Sequence, residues 1–352
     1  MTKHIHTRDN GSLRLKKIVE SFPKLTVTVL ADLVADEFVF GEISRVSREA
    51  PVLILQHRDR KVVPGGGANA VYNLADLGVN VLPVGIVGDD EPGRLLLRAF
   101  RHKRIPVSGV FKDKSYTTVT KTRILAGFAH TAGQQVVRLD REPTEGPNAH
   151  LRREIVLAAR EYTRASDALL VSDYGYGAAT PTLLNVIREK RGLDKVPVTL
   201  DSRHRMLEFT GITAATPNES EVEEVLGIRI GNANDDDWER LLAAGDQIAG
   251  AMNLESLVIT RGKDGMVVFP RRHKPVDIPI YGSDEVADVT GAGDTVIATF
   301  TAGLAAGATA EEAAQLANYA GGIVVMKRGT ATVSQQELLE AIEKTPPVAR
   351  EH

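Results

Sequence analysis

The sequence predicts an α/β fold, with a mostly parallel sheet covered by helices on both faces and a small antiparallel sheet at one edge. Strand-like stretches rich in β-branched residues alternate with helix-like ones, as in "ALLVSDYG", a helical stretch from residue 181, and "VPVTLDSR". Such alternation is the mark of parallel strands joined by crossover helices. Two regions, "PVLILQHRDRKVV" and "YTTVTKTRILAG" through "QQVVRLDRE", read as strands without crossover helices, which points to antiparallel pairing. A length of 352 residues suffices for one large domain or two smaller ones.

Taken in order, a short helix over residues 13–21 precedes "LTVTVLADLVAD", a buried strand that ends in polar residues. "GGGANAVYNLADLG" then spaces Ala70, Val71, Leu74 and Leu77 at helical intervals behind a glycine entry, and "VNVLPVGIVGDD" returns to strand. The edge strands read equally well as a flap over a site or as a plain extension of the sheet. Further on, "TPNESEVEEVLG" opens a helix, with Thr216, Pro217 and Glu219 at the spacing of a capping box. "SLVITRGKDGMVVF" supplies more strand, "GNANDDDW" a surface loop, and the small-residue run 295–307 a late helix.

Composition narrows the function. The 43 lysines and arginines nearly balance 46 aspartates and glutamates, for a net charge of −3, so nucleic acid is not the expected partner. Without cysteine there are no disulfides or thiolate metal sites, which fits a reducing compartment. No apolar run reaches membrane-spanning length, and the first residues lack a signal-peptide core. The expectation is a cytoplasmic protein that does not engage a membrane. His4 and His6 are spaced for a metal, although a two-histidine tail is usually inert.

The chemistry-bearing residues fall where strands lead into helices, which is where ligands bind in open α/β sheets. In "DVTGAGD", residues 288–294, a glycine-rich loop enters a helix and leaves backbone N–H groups free for an anion. Asp294 reads either as a general base for an attacking hydroxyl or as a helix cap. Asp32, Asp36, Asp173 and the segment "PGGGAN" lie at comparable points. Asn218 and Glu221, three apart on one helix face, suit a hydrated magnesium ion, or else Glu221 merely complements the helix dipole. The chain has no G-x-x-x-x-G-K-[ST] loop, and "GGGAN" lacks the third glycine of a dinucleotide fingerprint.

These motifs together resemble the ribokinase, or PfkB, family of carbohydrate kinases over residues 25–338. "PGGGANAVYNLADLG" is similar to its sugar-binding signature. "DVTGAGD" is similar to its D-T-x-G-A-G-D loop, with Val289 in place of threonine. Asn218 and Glu221 match its N-x-x-E element, and "TRGKDG" its T-x-G-x-x-G nucleotide loop. The resemblance implies a ribokinase-like three-layer α/β/α domain over residues 25–340, with a β lid from about 38–63 and 112–141. An N-terminal extension would occupy 1–24 and a tail 341–352. It implies transfer of the γ-phosphoryl of ATP, with Mg2+, to a sugar hydroxyl. Asp294 would be the base, and Gly291, Ala292 and Gly293 would form part of the anion hole. Asp36, Gly65, Gly66 and Asn69 would bind sugar. Thr260, Gly262, Gly265, Asn218 and Asn318 would hold nucleotide, and Glu221 with Asn218 the metal. It also implies a homodimer through the lid.

"ADLVADEFVFGEISRVSREAPVLIL", "VSDYGYGAAT" and "GTATVS" further resemble D-glycero-β-D-manno-heptose 7-phosphate kinases, which phosphorylate the anomeric hydroxyl of a phosphosugar. Lys121, Arg123 and Arg138 are then candidates for the substrate's phosphate, or else solvated edge charges. Ala31 replaces a glycine of that pattern, Tyr176 replaces a lysine, and "AGFAHTAGQQ" lengthens the lid turn. The chain contains no H-x-G-H motif, so nucleotidyl transfer is expected of another protein. The rival readings are a kinase for another sugar, sugar acid or nucleoside, and a silent binding regulator on the same fold.

Overall fold

A computed structural model describes residues 2–127, 134–188, 196–231, 237–282, 287–327, 329–345 and 350–351, with backbone alone for 2–10 and 350–351. The helices are α1 (Thr2–Ser21), α2 (Gly67–Asp76), α3 (Glu91–His102), α4 (Ala149–Arg164), α5 (Pro181–Arg188), α6 (Glu219–Leu226), α7 (Asp237–Met252), α8 (Ala292–Ala305), α9 (Ala310–Val325) and α10 (Gln335–Lys344). The main sheet runs in the order β14 (Arg350–Glu351), β13 (Val276–Ile278), β12 (Met266–Pro270), β11 (Ser256–Thr260), β10 (Ala214–Ala215), β9 (Val198–Ser202), β8 (Ala168–Asp173), β1 (Thr26–Ala31), β4 (Asn80–Gly88) and β5 (Val110–Asp113). Pairing is parallel from β5 to β11 and antiparallel from β11 to β14.

Both faces of this sheet are covered, as continuous apolar strands require. Val27, Val29, Ala168 and Leu170 pack into one cluster with α1, α2 and α8. Their strand neighbours Leu30, Leu169 and Val171 point the other way, into a cluster with α4, α5 and α7. The two-residue alternation of strand side chains thus produces three layers.

The first helix is longer than residues 13–21. Leu15, Ile18, Val19 and Phe22, at helical spacing, are all buried in the same core as α2 and β1. At the other end, the division drawn at 340 falls inside α10, where Ala341 and Ile342 are also buried. His4 and His6 lie where only the backbone is described, and most of the lengthened lid turn and of "GNANDDDW" lies outside the described residues.

The second sheet has the order β3 (Leu53–Gly66), β2 (Leu33–Val46), β6 (Val119–Gly127) and β7 (Gln134–Arg141). Its two antiparallel hairpin pairs, β2 with β3 and β6 with β7, join through a parallel pairing of β2 with β6. The register sets Asp36 beside Lys121 and Lys121 beside Asp140. Two rows further on, Phe38, Arg123 and Arg138 align. Among the described residues, no helix is long and apolar enough to cross a membrane.

Phe22 has no solvent exposure and anchors the end of α1. Phe22→Ala is expected to lower stability by about 3–5 kcal/mol, measured by denaturant unfolding. A loss below about 1 kcal/mol would mean that this helix contributes little to the domain.

Candidate active site

The carboxyl ends of β8, β9, β10 and β11 and the start of α8 meet under the second sheet. They enclose a polar cavity of about 460 Å3. A mainly apolar cavity of about 190 Å3 adjoins it, and the two share Thr260, Val289 and Gly293.

Asp294 sits at the bottom of the polar cavity, 4% exposed. It is not a helix cap. The cap of α8 is Gly291, at φ 80°, a left-handed conformation that favours glycine, and this cap makes no side-chain hydrogen bond to the helix start. Asp294 lies three residues inside the helix. Its Oδ2 accepts Nδ2 of Asn69 at 3.0 Å, and its Oδ1 accepts the phenolic O–H of Tyr174 at 2.8 Å. Burial pushes its carboxyl up to about 7, against the pull of these two donors. Gly291 and Gly293 line the same cavity, and Ala292 lines the adjoining one.

Asp36 reaches the cavity from the second sheet. Its Oδ1 accepts Nη1 of Arg123 at 2.6 Å, and its Oδ2 accepts the hydroxyl of Thr330 at 3.1 Å. Gly65 backs onto this carboxylate so closely that a Cβ there would overlap it. Gly66 lines the cavity and Asn69 stands on α2 beside it. Lys121 lines it too, 9% exposed, with its ammonium 5.2 Å from the centroid of the Tyr174 ring. Burial, then the charge of Arg203, holds that ammonium below its ordinary range. Arg138 shares the face of Arg123 in the register but grips Asp140 with two hydrogen bonds, of 2.9 and 2.8 Å. It is absent from the described cavity lining.

The start of α6 corrects one expectation. Its cap is Asn218 rather than Thr216, and the capping box is formed by Asn218 and Glu221. Oδ1 of Asn218 accepts the N–H of Glu221, and Oε2 of Glu221 accepts the N–H of Asn218, both at 2.9 Å. Glu219 instead takes Nε of Arg261. Both box residues line the cavity, so Glu221 complements the helix start while keeping its other oxygen for a ligand. Asp201, at the end of β9, faces the same space. Burial and then the neighbouring Glu221 and Asp294 charges push its carboxyl well above the ordinary range.

The apolar cavity gathers Thr260, Gly262, Gly265 and Asn318 among Met266, Ile280, Tyr281 and Val296. Asn318 donates Nδ2 to the carbonyl of Pro279 at 2.8 Å. Thr260 is bridged to Asn218, which fixes those two motifs against each other.

Sequence reasoning missed Tyr174, Asp201, Arg203 and Thr330. Arg203 and Asp201 end the quoted strand "VPVTLDSR", so the rule that ligands bind beyond strand ends already pointed to them. Asp32 has a different place: it is buried and accepts N–H groups of Tyr174, Tyr176 and Ala178, and so shapes a loop. The Tyr176 phenol donates to Glu142 at 2.8 Å and is not part of the cavity lining.

Gly65→Ala tests the cradle around Asp36. The added methyl is expected to dislodge the carboxylate and raise the dissociation constant of a ligand in the polar cavity at least about tenfold, roughly 1.4 kcal/mol, with that of a ligand in the apolar cavity little changed. An equal rise in both constants would mean general distortion.

Comparison with known proteins accords with this geometry. The chain is 41% identical over 316 residues to the bifunctional protein HldE of Geobacter metallireducens, covering 90% of this chain and 62% of that protein. It is 34% identical over 332 residues to the HldE protein of Gluconobacter oxydans, covering 94% and 67%. The chain therefore spans about two thirds of the length of these relatives. Its fold matches that of Arabidopsis thaliana ribokinase complexed with ribose and ATP, at a TM-score of 0.70 and 19% identity over 91% of this chain and 99% of that one. It also matches Escherichia coli phosphofructokinase-2 with substrates and products, at 0.71 and 16% over 91% and 99%. Residues 34–337 match the model described as pfkB family carbohydrate kinase, and the chain belongs to that family of sugar kinases.

Proposed function

We propose that this kinase transfers the γ-phosphoryl of ATP to O1 of D-glycero-β-D-manno-heptose 7-phosphate, giving the 1,7-bisphosphate. The observation that carries the reaction is Asp294, a buried carboxylate held by two donors beside an uncapped helix start. The substrate reading draws on the sequence resemblance to heptose 7-phosphate kinases and on the relatives named HldE.

In this reading the sugar lies between Asp36, Gly65, Gly66, Asn69 and Asp294, and adenine enters the apolar cavity beside Asn318. Asp294 takes the proton of the attacking hydroxyl as its oxygen bonds to the γ-phosphorus and ADP leaves. The first-turn N–H groups of α8 meet the charge on the transferring phosphoryl. Lys121 and Arg138 are assigned to the sugar's own phosphate, Arg138 after exchanging Asp140 for it. Asp201 and Glu221 suit a hydrated Mg2+, since two carboxylates that line one cavity, the charge of Glu221 helping to raise Asp201, present oxygen ligands to a cation that keeps most of its waters. Bound there, the ion would neutralise phosphate charge.

The lid covers the site and excludes water. Its opposite face carries the exposed Val137 and Leu139, which supports pairing of two lids in a homodimer. A cytoplasmic location fits the chemistry of a nucleotide-dependent sugar kinase.

ADP release with Mg-ATP across a panel of heptose 7-phosphate, fructose 6-phosphate, ribose, adenosine and 2-keto-3-deoxygluconate tests the substrate. Selective turnover of the heptose phosphate is expected, and selectivity for another acceptor would overturn that assignment. Asp294→Asn is expected to cost about a hundred- to ten-thousandfold in kcat, and near-parental turnover would remove Asp294 as base. Because the base acts ionised, kcat/KM should fall as pH drops through about 7, roughly tenfold per unit.

A further inference from the structure

We propose that Tyr174 is a positioning residue for the general base, its phenolic O–H holding the Asp294 carboxylate in its reacting orientation and anionic form. The inference rests on Asp294 being the base and is independent of which sugar is used.

The geometry is built rather than incidental. Oδ1 of Asp294 accepts from Tyr174 at 2.8 Å, and Oδ2 accepts from Asn69 at 3.0 Å, so each oxygen has one donor from a different element. Asn69 is itself oriented by Asn73, whose Nδ2 donates to its Oδ1 at 3.2 Å. Tyr174 is placed by its backbone. Its N–H donates to Oδ2 of buried Asp32 at 2.9 Å, the N–H of Tyr176 joins at the same oxygen at 2.8 Å, and that of Ala178 donates to Oδ1 at 2.8 Å. Asp173 holds the next residue by accepting the N–H of Gly175 at 3.0 Å. The ring is bounded on one side by Gly66, where a Cβ would come within 3.2 Å of it. The ammonium of Lys121 lies 5.2 Å from its centroid. A cation near the face of a phenol draws electron density from it and makes the O–H a stronger donor.

The charges around Asp294 show why a donor is needed. Asp36 faces it from β2 but is paired with Arg123. Lys121 faces it from β6, and Asp201, with Glu221 and Arg203 beyond it, from the end of β9 and the start of α6. Burial opposes the anion more than any of these groups, and the two hydrogen bonds are the largest effects that favour it. Tyr174 can play only the donor: burial first, then the Asp294 charge, keeps its phenol protonated well above the ordinary range. Removing that donor should therefore raise the pH at which Asp294 becomes ionised.

The test is the pH profile of kcat/KM for Tyr174→Phe, with whichever panel acceptor the parent enzyme turns over. The acidic limb is expected to move up by about one pH unit, with about a tenfold loss near pH 6 that shrinks towards pH 9, while both KM values stay near parental. A limb that stays in place, a loss equal at every pH, or a raised acceptor KM at parental kcat would each overturn the proposal. Site-specific 3-fluorotyrosine at position 174 keeps the ring and sharpens the donor. It should move the limb to lower pH, and it decides the question alone if the phenylalanine variant does not fold. An active Asp294→Asn enzyme would reject the base itself, whereas an inactive one with an unmoved limb in Tyr174→Phe rejects only the role given to Tyr174.

Discussion

One carboxylate has to be buried and still ionise. In the proposed reaction, water around Asp294 would compete with the sugar hydroxyl for the phosphoryl group, so a closed site serves it, yet closure raises the cost of its charge. Two neutral hydrogen-bond donors offset part of that cost. They do so without placing a permanent cation on the base, which would stabilise the anion so far that it could no longer accept a proton near neutral pH.

Much of the surrounding architecture follows from bringing those donors together. Asn69 belongs to α2, Tyr174 to the loop after β8 and Asp294 to α8, elements widely separated in sequence. The packing of α2 against α8 sets the first contact, and the Asp32 carboxylate, gathering N–H groups from the loop that carries Tyr174, sets the second. Asp32 is itself raised to about 6, burial being the main cause. A structural carboxylate with a perturbed ionisation is therefore linked through Tyr174 to the proposed base, and the two differ in access to the cavity rather than in chemistry.

The fold was legible because central strands of the main sheet, such as β1, β4, β8 and β11, are largely apolar and buried on both faces and the helices between them carry periodic apolar stripes. The glycine-rich starts were legible because only a few backbone arrangements need glycine at those spacings. The role of Tyr174 was not legible. Its hydrogen bond to Asp294 spans 120 residues in sequence, and Tyr176, two positions on, has an identical side chain that turns outward to Glu142. The capping box was misread for a local reason: Thr216 and Asn218 are both good caps with a glutamate three residues later, and the isolated pairing of Asn218 with Thr260 continues the extended chain past Thr216. Arg138 lay on the expected face, but its affinity for Asp140 depends on a turn of the side chain that strand register does not determine.

The two departures from the family pattern that looked most consequential fall at positions where the structure asks little of the side chain. Val289 is 69% exposed and borders both cavities. The loop around it is fixed from elsewhere, because Asp288 accepts the N–H groups of Thr290 at 2.9 Å and Gly329 at 3.1 Å. A threonine hydroxyl at 289 would face ligand or solvent, so valine costs the loop no internal hydrogen bond. Tyr176 likewise directs its phenol to Glu142, just past the end of β7. A lysine there would meet the same glutamate as an ion pair, and either side chain ties the lid to the body of the domain. The exchange changes the character of that tie from charged to neutral, and hence its sensitivity to salt, while leaving the lining of the polar cavity unchanged.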